Sequence, residues 1–584
     1  MQNLATLKKY FLRYRTKLAL GLIFILISNM GTVYIPMMIK DAINELQNAP
    51  AYDNLSRYAW MIVLFSLGAG IFRFLIRQTI IVVSREIEYD LRGDFWAHIQ
   101  KLPLRYFQNN STGNLMAHAT SDINAVRMFI GPAVMYSIDT FVRLVITVIL
   151  MFKISAAITL YALIPLPLLS VVVYLVGKKI HRRFTLIQEK FSELTTRAQE
   201  NFSGIRVIKS YVREENEIKE FDRLSQEYLE KNMSLVRVQA LFQPVLFLIT
   251  GVSIIIVIWA GGTMVIDKQL MLGDITALVI YLGILIWPMI AVGWVINIIQ
   301  QAEASMKRLN KIFAEPYEID DSDKTDSSIT DIKGEIEFRN VSFRYAEYLP
   351  EVLSNINIKI KQGQTIAIMG GTGSGKTTMI HLISRMYDTT SGEVLIDGRP
   401  VTQIPLAVLR KNMGIVPQET FLFSDSIRNN LTYGRDEVSE EKMMAAAHIS
   451  RFDKDAEDFP GRYNTMVGER GITLSGGQKQ RAALTRALIT DPSILVLDDS
   501  FSAVDTNTEE EILTRLKTFM KGRTSIIISH RVSTVKDADM IFVLAAGKIA
   551  EQGTHDELMT MNGIYADIYY KQLLEKEIEE YNEE

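Results

Sequence analysis

The sequence contains no cysteine, which excludes disulfides, thiolate metal sites and cysteine nucleophiles together. It also lacks a charge excess, since 63 Lys and Arg stand against 66 Asp and Glu for a formal net charge of -3. That balance leaves no electrostatic footprint for nucleic acid, and no such partner is expected. No small-residue cleavage site follows the first apolar run. Lys8, Lys9, Arg13, Arg15 and Lys17 therefore read as the basic flank of a retained membrane span rather than of a removed leader. A solenoid-type repeat is absent too.

What is present is apolar. Of 584 residues, 48% are hydrophobic, and six apolar segments lie in the first half of the chain. Leu18 to Ile39, Ile154 to Gly177, Val238 to Ile266 and Ile275 to Ala302 carry no charge, and each is long enough for a span of about 20 residues. Tyr58 to Phe72 continues through Arg73 and Arg77, while Gly131 to Phe152 contains Asp139 and Arg143. The latter two are four apart and share a helix face, where a mutually neutralising pair turned inward is the simplest reading. Loops after the first, third and fifth segments are short. Those after the second and fourth are long and charged, and the basic residues before the first segment place the amino terminus and both long loops in the cytoplasm. Between about 85 and 130, and again between 178 and 237, charged helical patterns predict spans that continue well beyond the membrane.

Residues 315–334 are acidic, rich in serine and threonine, and aperiodic, so they read as a linker between a transmembrane domain (1–314) and a soluble domain (335–584). In the latter, EIEFRNVSF, TIAIMG, SILVLDD and TSIIISH alternate with helical stretches. That alternation predicts an α/β domain with a substantially parallel sheet.

The strand TIAIMG runs into Gly370, Gly371, Thr372, Gly373, Ser374, Gly375, Lys376, Thr377 and Thr378. This satisfies the nucleotide pattern G-x-x-x-x-G-K-[ST] in the required strand-to-helix setting. Glycines let backbone amides converge on phosphates, the helix start adds its positive dipole end, Lys376 supplies a point charge and Thr377 a magnesium ligand. Asp498 ends the apolar run ILVLD and is placed to hold the magnesium shell. Asp499 follows it.

Between these motifs lies LSGGQ: Leu474, Ser475, Gly476, Gly477 and Gln478. The order phosphate loop, LSGGQ, acidic strand and a later histidine resembles the ATP-binding cassette (ABC) proteins. Six spans ahead of one cassette resemble a half-transporter: a six-span α-helical domain of the type IV exporter fold followed by an α/β P-loop cassette. The resemblance implies ATP and Mg2+ as cofactors and a second half-transporter as partner, each ATP being held between one subunit's phosphate loop and the other's LSGGQ. By the same resemblance Tyr345 stacks on adenine, Gln418 touches magnesium, Asp505 lies at the dimer seam and His530 contacts the γ-phosphate. TMVGERG (465–471) matches the exporter segment that meets the membrane domain, and residues 111–122 and 203–215 resemble the two loops whose short helices dock onto cassettes.

Asp499 stands where such proteins ordinarily carry glutamate, the residue that orients or deprotonates the attacking water. Aspartate is one methylene shorter, and a retreat of roughly 1 Å slows such a step about a hundredfold. An intact LSGGQ with this substitution resembles the smaller, degenerate-site subunit of heterodimeric bacterial multidrug exporters. That implies a plasma-membrane protein moving small hydrophobic substrates, with membrane lipid around it. Met30, Met37, Phe242, Phe247 and Trp287 are candidates for the cavity lining. The alternatives are a homodimeric lipid or peptide exporter and, from another class, a non-transporting ATP-gated regulator.

Overall fold

The computed structural model describes residues 3–48, 52–435, 437–468 and 474–583. They divide into two compact units, one of residues 1–100 and 112–315, the other of residues 101–111 and 316–584.

The first unit is helical. Among the described residues five helices are long and apolar enough to cross a membrane: Arg15–Asn48, Tyr52–Ile99, Thr112–Ile154, Glu214–Ile266 and Leu272–Phe313. The second, third and fourth of these hold 48, 43 and 53 residues, more than twice the need of a bilayer. The expected span Ile154 to Gly177 is not one helix. Ser155 is extended, its hydroxyl caps Ala156–Leu163 by accepting from the Ile158 N–H at 3.4 Å, and a new helix, Pro165–Ser203, starts on a proline. A hydropathy run does not register either event, because a serine cap and a proline at a helix start are both compatible with apolar composition.

The first two spans run antiparallel, in register through Lys17–Glu86 (2.6 Å), Arg13–Asp90 (3.0 Å) and Lys9–Asp94 (2.8 Å) at one end and through Ser28 Oγ, which donates to the Ala69 carbonyl at 3.1 Å, further in. Asp139 and Arg143 do pair, at 3.0 Å. The buried Asn29 closes the group, donating to Asp139 Oδ1 at 2.8 Å and accepting from Arg143 Nε at 3.0 Å.

The second unit holds two sheets. Strands β1 (Ile336–Phe343), β2 (Leu353–Ile360), β4 (Ser391–Ile396) and β5 (Arg399–Pro400) form an antiparallel sheet in the order β2-β1-β4-β5. Strands β3 (Thr365–Gly370), β6 (Met413–Val416), β7 (Ile494–Asp498), β8 (Thr524–Ile528), β9 (Met540–Ala545) and β10 (Lys548–Gly553) form the other, in the order β10-β9-β3-β8-β7-β6. All its pairings are parallel except β9 with β10. Strand alternation sends Ile366, Ile368, Val496 and Ile526 into one core with the antiparallel sheet, and Ala367, Met369, Leu497 and Ile527 into another with the helices. A sheet buried on both faces reads as uninterrupted aliphatic runs, which is what β3, β7 and β8 are.

Residues 101–111 belong to this second unit although both flanks belong to the first. The short helix Leu104–Asn109 carries Gln108, whose Oε1 accepts from the Tyr387 hydroxyl at 2.6 Å, and Arg105, which pairs with Glu318. Leu104 packs against the core beneath. The resemblance places docking at 111–122. That stretch instead begins the helix Thr112–Ile154 within the first unit, so the docked element lies about ten residues earlier, where Pro103 starts a separate turn. In the other expected loop, helix Ile205–Ser210 belongs to the first unit and leaves Val207, Tyr211 and Val212 exposed.

Candidate nucleotide site

Parallel strands align their carboxyl ends, and loops leaving them converge on one edge. Four such loops matter, following β3, β8, β7 and β6 in their spatial order. They deliver the Gly370–Gly375 loop, His530, the Asp498–Asp499 pair and Gln418, respectively.

Backbone conformation makes the first loop possible. Gly370 has φ +147 and a Cβ there would lie 2.3 Å from the Leu544 carbonyl oxygen; Gly375 has φ +103 and a Cβ would lie 2.6 Å from Leu353 Cδ2. Gly375 then leads into the helix Lys376–Ile383. The Lys376 ammonium folds back over the loop and donates to the carbonyls of Gly370 (2.8 Å) and Gly371 (2.9 Å). Burial lowers its pKa, opposed by the negative charges of Asp498 and Asp499. The Ser374 hydroxyl is buried with no partner among the described residues, and Thr372 and Gly373 are exposed. An unpaired buried hydroxyl, a lysine over backbone carbonyls and a helix start fit a polyphosphate.

Thr377 Oγ1 donates to Asp498 Oδ2 at 2.9 Å. Asp498 is almost wholly buried, and burial raises its pKa; Asp499 adds to the rise, while Thr377, Lys376 and His530 lower it. These five side chains therefore share one electrostatic environment. The threonine and aspartate offer a hard cation two oxygen ligands at one point, and exposed Gln418 stands just beyond the neighbouring strand β6. Asp499 is held at φ +46, with its N–H donating to the Ile528 carbonyl at 2.9 Å. Few residues accept that left-handed conformation, and aspartate is one of them.

The Tyr345 hydroxyl bonds Thr378 Oγ1 at 2.8 Å, and its ring meets Phe343 and Tyr387 edge-to-face at 4.9 and 5.3 Å. This fixes an aromatic plane beside the phosphate-loop helix.

The LSGGQ segment is a helix start. Leu474 is buried; Ser475 Oγ accepts from the Gln478 N–H at 3.3 Å and Gln478 Oε1 from the Ser475 N–H at 3.0 Å, a reciprocal cap on Gly476–Ile489. Ser475 and Gly476 are exposed, and Gly477 is buried. Asp505 caps the helix Thr506–Met520 through the Thr508 N–H at 2.9 Å and is likewise exposed. Gln480 joins these two regions, donating to Ser502 Oγ at 2.9 Å and accepting from the Ala503 N–H at 3.0 Å. In the sequence its only signal is a second glutamine in GGQKQR. Of TMVGERG, Met466 is exposed and Val467 buried, with the Val467 N–H donating to Asp425 O at 2.9 Å, and 469–471 lie outside the described residues.

A phosphate-binding loop, a paired threonine and aspartate and an aromatic plate on a doubly buried parallel sheet, in one chain with membrane-length helices, define a membrane-embedded P-loop ATPase. The family model of the ABC transporter transmembrane region matches residues 18–289, and that of the ABC transporter family matches residues 353–502. A probable multidrug resistance ABC transporter ATP-binding/permease protein of Bacillus subtilis, YheI, is 36% identical over 97% of this chain and 96% of its own length. An ATP-dependent lipid A-core flippase of Syntrophus aciditrophicus is 33% identical over 97% and 93%. The solved structure of a bacterial Atm1-family ABC exporter with ATP bound aligns with a TM-score of 0.77 at 25% identity, over 96% of this chain and 98% of that one. The chain belongs to the ABC transporters and has the type IV exporter fold. It is a multi-pass membrane protein whose ATP hydrolysis is coupled to transport.

Proposed function

We propose that this chain is one half of a heterodimeric exporter that moves hydrophobic or amphipathic compounds, drugs among them, out of a bacterial cell by alternating access. The observation that carries the reading is Asp499, a short carboxylate beside an otherwise complete set of Lys376, Thr377, Asp498 and His530. Lys376 and the amides of residues 371–375 hold the β- and γ-phosphates, Thr377, Asp498 and Gln418 hold Mg2+, and Tyr345 stacks on adenine. Asp499 orients water poorly, so this site binds ATP and turns it over slowly. The exposed Ser475 and Gly476, with the half-buried Gln478, close over ATP on the partner's phosphate loop, where turnover is faster, and Asp505 lies at the seam. Because the sandwich closes only on nucleotide, reorientation draws on the higher affinity of the closed state for ATP. The amino terminus and cassette are cytoplasmic, and the exposed Val207, Tyr211 and Val212 suit docking on the partner's cassette. The multidrug resistance relative supports the substrate class.

A homodimeric lipid exporter is the second reading, favoured by the likeness to a lipid A-core flippase. ATP-dependent uptake of a fluorescent amphiphilic dye into inside-out vesicles separates the readings. Uptake only on co-expression with a second half-transporter is expected. Uptake by this chain alone establishes the homodimer, and ATP binding without uptake in either case overturns export.

A further inference from the structure

The first unit contains a cavity of about 240 Å3 bordered by Arg73, Arg77, Tyr136, Asp139, Arg143 and Trp287. We propose that this cavity binds the phosphomonoester headgroup, or a chemically equivalent dianion, of an amphipathic substrate. The inference rests on the export reading and adds a chemical class to it.

Depth comes first. Asn29, whose side chain meets both Asp139 and Arg143, lies eleven residues beyond the start of the charge-free run at Leu18. At 1.5 Å per residue that is about 16 Å, half of a hydrocarbon layer of about 30 Å. Ser28 is level with Ala69 across the first two spans, so Arg73 and Arg77 sit about one and two helical turns from that level, toward the Lys17–Glu86 end. Ionisable side chains at the depth of Asp139, Arg143 and Arg73 are costly and are by default functional, while Arg77, about 5 Å inside the run by the same measure, stands at its entrance.

Charge comes next. Asn29, Asp139 and Arg143 satisfy one another and hold the Arg143 guanidinium in place. Among the described residues neither Arg73 nor Arg77 has a hydrogen-bond or ion-pair partner. Three guanidinium groups against one carboxylate leave two positive charges, the complement of a phosphomonoester dianion. Guanidinium is also the side chain whose fork of donors matches phosphate oxygens. A π-helical turn, Arg77–Ile81, starts at the second arginine; such turns gather at functional sites.

Size decides what enters. The cavity is smaller than the roughly 300–1,000 Å3 that holds a whole drug-sized ligand. It suits a headgroup, with the apolar remainder left outside beside Tyr136 and the half-exposed Trp287.

The test uses the full chain in nanodiscs of phosphatidylcholine alone, titrated with dodecyl phosphate and with dodecylphosphocholine, which share a tail and differ in headgroup charge. Tryptophan fluorescence is the readout, and a Trp287→Phe variant identifies the part that comes from Trp287. Dodecyl phosphate should bind at least tenfold tighter than dodecylphosphocholine. The Arg73→Gln/Arg77→Gln double variant should lose that preference, and Arg73→Lys/Arg77→Lys should keep part of it. Competition by inorganic phosphate supports a free phosphate as the ligand, and lack of it supports the amphiphile; either keeps the dianion site. Equal wild-type affinities, or an undiminished preference in the double glutamine variant, overturn the proposal. A fluorescent ATP analogue checks folding, and where the double variant fails that check the wild-type comparison alone decides. Since no turnover is read, a negative result leaves ATP-driven export standing, whereas wild type that does not bind the ATP analogue counts against the export reading itself.

Discussion

Asp499→Glu should raise the rate of ATP hydrolysis by this chain. The added methylene advances the carboxylate by roughly 1 Å, a displacement that changes a positioned proton transfer on the order of a hundredfold, or about 2.7 kcal/mol of barrier. Against this stands the backbone, since residue 499 is at φ +46 and glutamate tolerates the left-handed region less well than aspartate. That penalty is about 1 kcal/mol. It is borne by the folded state with and without ATP, because the pairing of β7 with β8 and the bond from the residue 499 N–H to the Ile528 carbonyl hold the backbone regardless of side chain. The rate gain should therefore survive almost whole while Tm falls by a few degrees. Phosphate release by purified wild type, Asp499→Glu and a Lys376→Ala background in the same nanodiscs gives the answer. A variant within threefold of wild type, or a wild type already turning over near 10 s-1, the ordinary enzyme range, refutes the reasoning.

Three further outcomes are expected. Tyr345→Ala should weaken ATP binding by about 1–3 kcal/mol, the worth of one stacked base, and Tyr345→Phe should stay near wild type although it loses the 2.8 Å bond to Thr378; equal losses in a fluorescent-analogue titration would point to the hydroxyl instead. Burial raises the Asp498 pKa, so this group stabilises the nucleotide-free fold fully below the ordinary carboxylate pKa, and that contribution fades as pH rises through its raised value. Asp498→Asn should accordingly raise Tm in Mg2+-free buffer at neutral pH and abolish hydrolysis, and a lowered Tm contradicts this. Gln480→Ala removes two hydrogen bonds, to Ser502 and from the Ala503 N–H, each worth about 0.5–1.5 kcal/mol net because both partners are exposed to water, and should lower the unfolding midpoint of the cassette more than Lys479→Ala on the same helix.

What the sequence disclosed followed from contiguity. The phosphate loop, Asp498 and LSGGQ are each short runs whose chemistry is local, and the aliphatic runs of β3, β7 and β8 could only be strands buried on both faces. Non-local contacts stayed hidden. Gln480 is one glutamine among others until Ser502 and Ala503 fold against it. Arg73 and Arg77 interrupt a hydropathy run, and only packing places them beside Asp139 and Arg143. The docked turn at 101–111 was missed for the same reason, since its partners Glu318 and Tyr387 lie more than 200 positions away.

That last separation has a bearing on biosynthesis. Gln108 and Tyr387 are 279 positions apart, and at a translation rate of about 5–20 residues per second the turn emerges roughly 15–60 seconds before the surface that receives it exists. Throughout that interval Leu104, half-buried against the cassette core in the folded chain, lacks that cover. The second unit thus completes itself around a segment made long before the rest of it. A ribosome stalled between the last span and β3 carries a membrane domain with one unmatched seam, a ready handle for a chaperone or for quality control.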